Sequence, residues 1–569
     1  MKKFFIVLLV FLTAFIFSSC GLSSKDDEHP HYSNEYDSGN SGSTNDNYEK
    51  GDYEEDWGNT GNTGDYGNTG DTGNTGDYIP GEEEQSPDPD NVGELIENEF
   101  VKTSEEHTST FSIDVDTASY SLIRNYILNY YQLPPVSSVR IEEMVNYFDY
   151  DYPQPEEDKP FSVTMEMSPS PWRDDSHLIM FGLKGKEIDE ENRPPSNLVF
   201  LIDTSGSMSP ANRLPLLKKA FKILVGRLTE KDIVSIVTYA SQTGVVLDSV
   251  PGDQKNKIND AIDSLVASGA TAGYNGIEKA YKLAEKNHHS EYNSRVILAT
   301  DGDFNVGPYS NAELVSLIEK ERNKGIFLTI LGFGMGNYQD NKMEELSNAG
   351  NGNYFYIDNE KEAEKVFVHD LMGNMFTIAK DVKLQVVFNP EKIYMYRLIG
   401  YENRVLANED FDDDTKDAGE IGSGHRVTAF YEVILTSEEN EEEPETVNDE
   451  DEEINDEDID EDIEDIIEED FDANEFLVLK MRYKEPDEDI SKYMDTVMTE
   501  DHFNEEMSEN MGFASSVVEF GMLLRKSKFK ENSSYDSVEE RAKNSIGTDI
   551  FGYRGEFLEI VDKAKTLDK

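Results

Sequence analysis

The chain has 569 residues, too many for one core, and only 37% of them are hydrophobic, so several domains and an unfolded portion are expected. A formal net charge of −67 excludes nucleic acid as a partner and excludes docking on anionic lipid through a basic patch. It is compatible with divalent cations.

Met1-Lys2-Lys3 followed by the apolar run Phe4 to Phe17 reads as a signal peptide over residues 1–20. The run ends at Ser18-Ser19-Cys20-Gly21, which resembles the bacterial lipobox and predicts lipidation at Cys20. An exported protein, lipid-anchored to the bacterial cell envelope on its periplasmic or surface face, follows from that reading. Cys20 is the single Cys, so no internal disulfide is expected. Residues 21–107 are rich in Gly, Asn, Asp and Thr and carry the Gly-Asn-Thr repeat of Gly58 to Gly76. Pro is absent from that repeat, so a disordered tether is expected rather than a collagen-like rod.

Residues 108–190 form an N-terminal flank. It has an alternating strand at Phe111–Val115, helices over 117–130 and Val139–Phe148, and strands at Phe161–Met167 and Leu178–Leu183. Residues 195–373 then alternate strand and helix. Strands are expected at Leu198–Asp203, Ile233–Tyr239, Val245–Val250, Val296–Thr300, Phe327–Phe333 and Tyr354–Ile357, with helices between them and a last helix over Lys361–Met372. Continuous apolar strands in such an alternation predict an α/β fold, a doubly wound and mostly parallel sheet covered on both faces. Its ligand site is expected at the carboxyl ends of the strands. Residues 376–569 return to strands at Lys383–Phe388, Ile393–Leu398, Thr428–Leu435 and Phe476–Tyr483, then helices over 506–526, 535–545 and 553–566. Within this region 438–472 has Asp or Glu at 23 of its 35 positions, so a solvated acidic insertion is expected there. Strands on both sides of the α/β block suggest one β-sandwich, from 160–185 and 380–485, with the α/β domain inserted into it.

Asp203 ends an apolar strand, and Ser205 and Ser207 follow at alternate positions. A carboxylate and two hydroxyls on one turn make half of a shell for a hard divalent cation such as Mg²⁺ (or Mn²⁺ or Ca²⁺). Gly269-Ala-Thr271 and Ala299-Thr-Asp301-Gly302 complete a pattern that resembles the metal-ion-dependent adhesion site of von Willebrand factor type A domains. The resemblance implies that Asp203, Ser205, Ser207, Thr271 and Asp301 hold the ion. It also implies that a protein ligand presenting an Asp or Glu fills the remaining position. The flanks resemble a narrower group, bacterial lipoproteins carrying this domain between N-terminal and C-terminal regions of unknown function. That likeness rests on Phe111–Tyr120, Val139–Phe148, Thr300–Gly307, Arg397–Asn403, Asp417–Gly422 and Phe551–Arg554, and it spans 108 to 566.

Plainer explanations account for other features. Asp303 is expected to be a solvated loop carboxylate, and Asp114 with Asp116, which invite a second cation site, are expected instead to form a strand-end turn and helix cap. Gly332-Phe-Gly334-Met-Gly336 lacks a third Gly at the spacing of a nucleotide loop, so no nucleotide is expected. No His-Glu-x-x-His and no Gly-x-Ser-x-Gly occurs, so no catalytic residue is nominated and no enzyme is expected. Three functions follow in order: cation-dependent protein binding in adhesion or envelope assembly, a structural scaffold in which the ion only stabilises the fold, and last a metal-assisted hydrolase.

Overall fold

The computed structural model describes residues 96–569, apart from 271–273, 303–309, 335–339, 438–470, 487 and 489. Cys20, residues 1–20, Thr271, Asp303 and nearly all of the acidic insertion lie outside the described residues. Among the described residues no helix is long and apolar enough to cross a membrane.

Regular structure begins earlier than the sequence suggests. The strand β1 (Val101–Lys102) falls in the last part of the expected tether, where Val101 pairs with Tyr396. Next come β2 (Thr108–Ser112), α1 (Ala118–Asn129) and α2 (Ile141–Asn146), then the hairpin of β3 (Phe161–Pro169) and β4 (His177–Gly185).

The α/β block runs β5 (Ser196–Asp203), α3 (Leu214–Arg227), β6 (Ile233–Tyr239), β7 (Thr243–Pro251), α4 (Lys255–Asp263), α5 (Tyr274–Lys286), β8 (Asn293–Thr300), α6 (Asn311–Arg322), β9 (Ile326–Phe333), α7 (Asp340–Ala349) and β10 (Tyr354–Ile357). Its strand order is β10-β9-β8-β5-β6-β7, parallel except for β7 at one edge. The central strand β5 is buried along its whole length because alternate residues enter opposite cores. Leu198, Phe200 and Ile202 face α3 and α4, and Val199 and Leu201 face α5, α6 and α7. Such a strand has no polar face, and this explains its unbroken apolar run. The expected single helix over Lys361–Met372 is instead α8 (Glu360–Glu364), a π-helical turn at Lys365–His369 and α9 (Leu371–Met375).

The remaining chain supplies β11 (Thr377–Phe388), β12 (Ile393–Ile399), β13 (Val405–Leu406), β14 (Gly419–Gly422), β15 (Arg426–Leu435), β16 (Glu475–Lys484), β17 (Lys492–Thr499), α10 (Glu509–Arg525), α11 (Tyr535–Asn544) and α12 (Tyr553–Leu567). Two sheets, β1-β12-β15-β4-β3 and β13-β2-β11-β16-β17 with β14 beside β11, pack face to face. Phe181, Leu183 and Tyr431 of one sheet meet Phe111, Leu384 and Leu479 of the other in a shared core. The α/β domain is thus inserted into a β-sandwich, as the sequence indicates.

The two flanks are not separate domains, however. The sandwich takes β1 to β4 from the N-terminal flank (108–190 with its preceding residues) and β11 to β17 from the C-terminal region (376–569). A helical layer likewise mixes α1 and α2 with α10, α11 and α12 around Tyr147, Phe148, Phe513 and Phe557. Amphipathic periodicity assigns elements, but it carries no information about which distant element covers each apolar face.

Charge ties these bodies together. Arg124 of α1 is buried, and its guanidinium donates to Asp358 (2.9 Å), Glu362 (2.7 Å), Glu556 (3.1 Å) and the Tyr147 hydroxyl (2.8 Å). Asp358 follows β10, Glu362 is on α8 and Glu556 on α12, so one cation links three carboxylates of two bodies. Nearby, Arg140 donates to Glu143 and Asp340, and Arg404 contacts Asp114 at 3.2 Å. Burial, with Asp114 beside it, holds the Asp116 carboxyl well above the usual range. Burial also raises Glu143 and Glu344, against the pull of Arg140.

Candidate functional site

The crest of the parallel sheet gathers the residues that the sequence nominates. Asp203 ends β5 and is fully buried; its Oδ1 accepts the Ser205 N–H at 2.8 Å. This short-range bond turns the chain sharply off the strand, and a 3₁₀ turn at Gly206–Met208 follows. Ser205 and Ser207 thereby lie on the same side, their hydroxyl oxygens 2.8 Å apart. Ser207 is exposed, so the turn opens to solvent.

Asp301 follows β8, the strand next to β5, and is also buried. Burial pushes the Asp203 carboxyl up to about 6, and the nearby charge of Asp301 adds to this, while the backbone and hydroxyl of Ser205 oppose it. Asp203 Oδ2 and Asp301 Oδ1 have no hydrogen-bond partner among the described residues. Buried carboxylate oxygens ordinarily find donors, so two orphans at one crest mark an incomplete polar site.

Thr271 is not described, but the segment leading to it is. Ser268 N–H donates to Thr204 O at 2.7 Å and Gly206 N–H donates to Gly269 O at 2.9 Å. These bonds lash the irregular segment leading to Thr271 onto the Asp203 turn. Gly269 has φ +85°, and a Cβ there would collide with the Ser241 hydroxyl, which accepts the Ala270 N–H at 2.8 Å.

Two residues at the crest escape the sequence pattern. Arg213, just before α3, donates to Asp301 Oδ2 and to Ser207 O at 2.9 Å. Its side chain lies against Gly334, which has φ +77° and no room for a Cβ there. Tyr239 ends β6, accepts the Thr204 N–H on its carbonyl at 2.9 Å, and carries a phenol that feels the charge of Asp203. An Arg ten positions after Asp203 gives no pattern to recognise. The end of a strand neighbouring β5 was a usable signal for Tyr239.

An oxygen-only donor set with two unbonded carboxylate oxygens fits a hard divalent cation and does not fit zinc, which favours His and Cys. Asp203, Ser205, Ser207 and Asp301 are the described residues able to hold it.

The model of the von Willebrand factor type A domain matches residues 197–369, a von Willebrand factor model matches 87–180, and the model of the C-terminal region of the uncharacterized protein YfbK matches 373–567. The uncharacterized protein YfbK of Escherichia coli K12 is 37% identical over 475 residues, covering 82% of this chain and 80% of that protein. The uncharacterized protein sll0103 of Synechocystis is 28% identical over 189 residues, covering 33% of this chain and 44% of that protein. Among solved structures, a von Willebrand factor type A protein from Catenulispora acidiphila aligns with a TM-score of 0.38 and 15% identity, covering 70% of this chain and 88% of that one. Domains of this type typically serve protein interaction or adhesion, and often bind a divalent metal. The chain belongs to the YfbK family of von Willebrand factor type A domain proteins.

Proposed function

We propose that the chain is a cation-dependent protein-binding module, acting in adhesion or envelope assembly, and not an enzyme. The observation that carries this reading is the pair of unbonded oxygens, Asp203 Oδ2 and Asp301 Oδ1, beside the paired hydroxyls of Ser205 and Ser207 on a solvent-open crest. Asp203, Ser205, Ser207 and Asp301, with Thr271, would hold Mg²⁺ (or Mn²⁺ or Ca²⁺). When bound, the ion supplies a Lewis-acidic position for an Asp or Glu carboxylate of the partner protein. Two of the described donors are neutral hydroxyls, which neutralise the ion less than carboxylates do and so favour an anionic outside ligand. The rigid strand ends of β5 and β8 fix the donors, and the Gly269 segment holds the turn in place. The lipobox-like Ser18-Ser19-Cys20 supports anchoring of this module to the cell envelope through a lipid on Cys20.

Titration of the purified chain with Mg²⁺ tests the site. Thermal stability should rise with the ion in the wild type, and the rise should be lost in Ser205→Ala and Asp203→Ala. A melting temperature indifferent to the ion and to both substitutions would overturn the reading. Tight, slowly exchanging binding without any partner carboxylate would instead assign the ion a purely structural role.

A further inference from the structure

A second group of carboxylates sits where the sandwich, the helical layer and the α/β domain meet. Asp114 follows β2, Glu143 is on α2 and Glu344 is on α7. Each can offer an oxygen such that all three oxygens lie within 4.8 Å of one another. Oxygens on opposite sides of a calcium ion stand about 4.6–5.2 Å apart, so three oxygens this close can share one ion.

Asp114 and Asp116 are 3% and 2% exposed, yet Asp114 Oδ2 and Asp116 Oδ2 have no hydrogen-bond partner among the described residues. Their other oxygens are used: Asp114 Oδ1 accepts the Asp116 N–H at 3.0 Å, and Asp116 Oδ1 accepts the Tyr354 N–H at 3.0 Å. Asp116 Oδ2 lies 4.0 Å from the same Arg404 nitrogen that contacts Asp114. The strand-end turn expected at Asp114 is therefore present, but the expected helix cap is not, since Thr117 precedes α1 without a side-chain cap bond, and one oxygen of each carboxylate is left over.

The local charge does not close. Asp114, Asp116, Glu143, Asp340 and Glu344 face the guanidiniums of Arg140 and Arg404, leaving three negative charges in excess. Buried charge without a counter-charge is costly, so the cluster must take up protons or a cation. The donors come from three separate bodies, and two of them also accept internal hydrogen bonds, Glu143 from Arg140 and from the Ser119 N–H at 2.7 Å and Glu344 from Asn403. Such an irregular set suits the tolerant shell of calcium better than the octahedron that magnesium demands.

We propose that Asp114, Glu143 and Glu344 bind a divalent cation of the calcium class, distinct from the crest ion, which fastens the α/β domain to the sandwich and the helical layer. The full chain carrying Asp203→Ala and Ser205→Ala removes the crest from the experiment. After dialysis against calcium, elemental analysis of this variant should count one bound calcium, and its melting temperature should fall when a chelator is added. Asp114→Asn or Glu344→Gln, added singly and checked by circular dichroism, should weaken calcium binding about tenfold or more. Either variant suffices if the other fails to fold. The proposal is overturned if the crest-disabled chain retains no calcium and melts alike with calcium and chelator. It is equally overturned if calcium binding is unchanged by Asp114→Asn and Glu344→Gln, which would place the ion elsewhere, as on the acidic insertion.

Discussion

Carboxylates gather beside parallel strand ends both at the crest and at Arg124, and the two places resolve the same electrostatic problem in opposite ways. At Arg124 every donor and acceptor is internal: one guanidinium serves Asp358, Glu362 and Glu556, and the Tyr147 hydroxyl donates onward to Glu362 at 2.8 Å. At the crest, Asp203 and Asp301 each keep an oxygen without a partner, and the neighbouring Ser207 is exposed. A closed network joins parts of a fold, whereas an open one is left for something outside it. Buried charge alone does not separate these roles; the bookkeeping of individual oxygens does.

Removing the central cation breaks the comparison most severely. Arg124→Met leaves Asp358 and Glu362 buried without a counter-charge, and the expected loss is about 3–5 kcal/mol, read by chemical denaturation. A smaller effect, away from both networks, is read by pH. His425 Nε2 faces Asn374 Oδ1 at 3.1 Å and its Nδ1 accepts the Gly422 N–H at 3.4 Å, an arrangement for the neutral ring. Burial, with the charges of Lys365, Arg426 and Arg295 adding to it, pushes His425 down to about 3. The unfolded chain binds this proton near pH 6.5 and the folded chain does not. The stabilisation is therefore complete above about pH 6.5 and drains away as pH falls towards 3. Relative to His425→Gln, the wild type should lose on the order of 2 kcal/mol across that window, after allowance for water at the partly exposed ring.

At the crest the expected response is to ions, with protons competing as the pH falls towards the raised Asp203 value of about 6. Arg213→Gln frees Asp301 from an internal cation, and calorimetry should show Mg²⁺ affinity about tenfold higher, the equivalent of one charged hydrogen bond. The smallest effect is expected for Asp203→Asn in chelator, within about 1 kcal/mol of wild type, because Asn keeps an acceptor for the Ser205 N–H and removes a carboxylate that burial and Asp301 disfavour. A large loss there would make the crest a closed network too, and the contrast would collapse.

The crest is legible in part because Asp203, Ser205 and Ser207 sit on one turn and Asp301 directly follows the adjacent strand. The α/β elements were legible for a related reason, since strands covered on both faces leave unbroken apolar runs. Edge strands leave weaker traces. In β17 only Met498 is fully buried, and β13 and β1 are two residues long. Nor does the pattern reveal Arg213 or the pairing of α1 with α12, because both depend on distant chain segments meeting. The π-helical turn at Lys365–His369 is likewise invisible to a 3.6-residue period.

Insertion of one domain inside another also dictates an order of events as the chain emerges. Strand β4 pairs with β15, and β2 with β11, across the entire α/β block. The inserted block can complete its parallel sheet by residue 357, while β2 and the β3–β4 hairpin still present bare edges. Such long-range closure is slow, and waiting edges invite wrong partners. Productive biogenesis thus depends on keeping the early strands apart from other chains until β15 has been made.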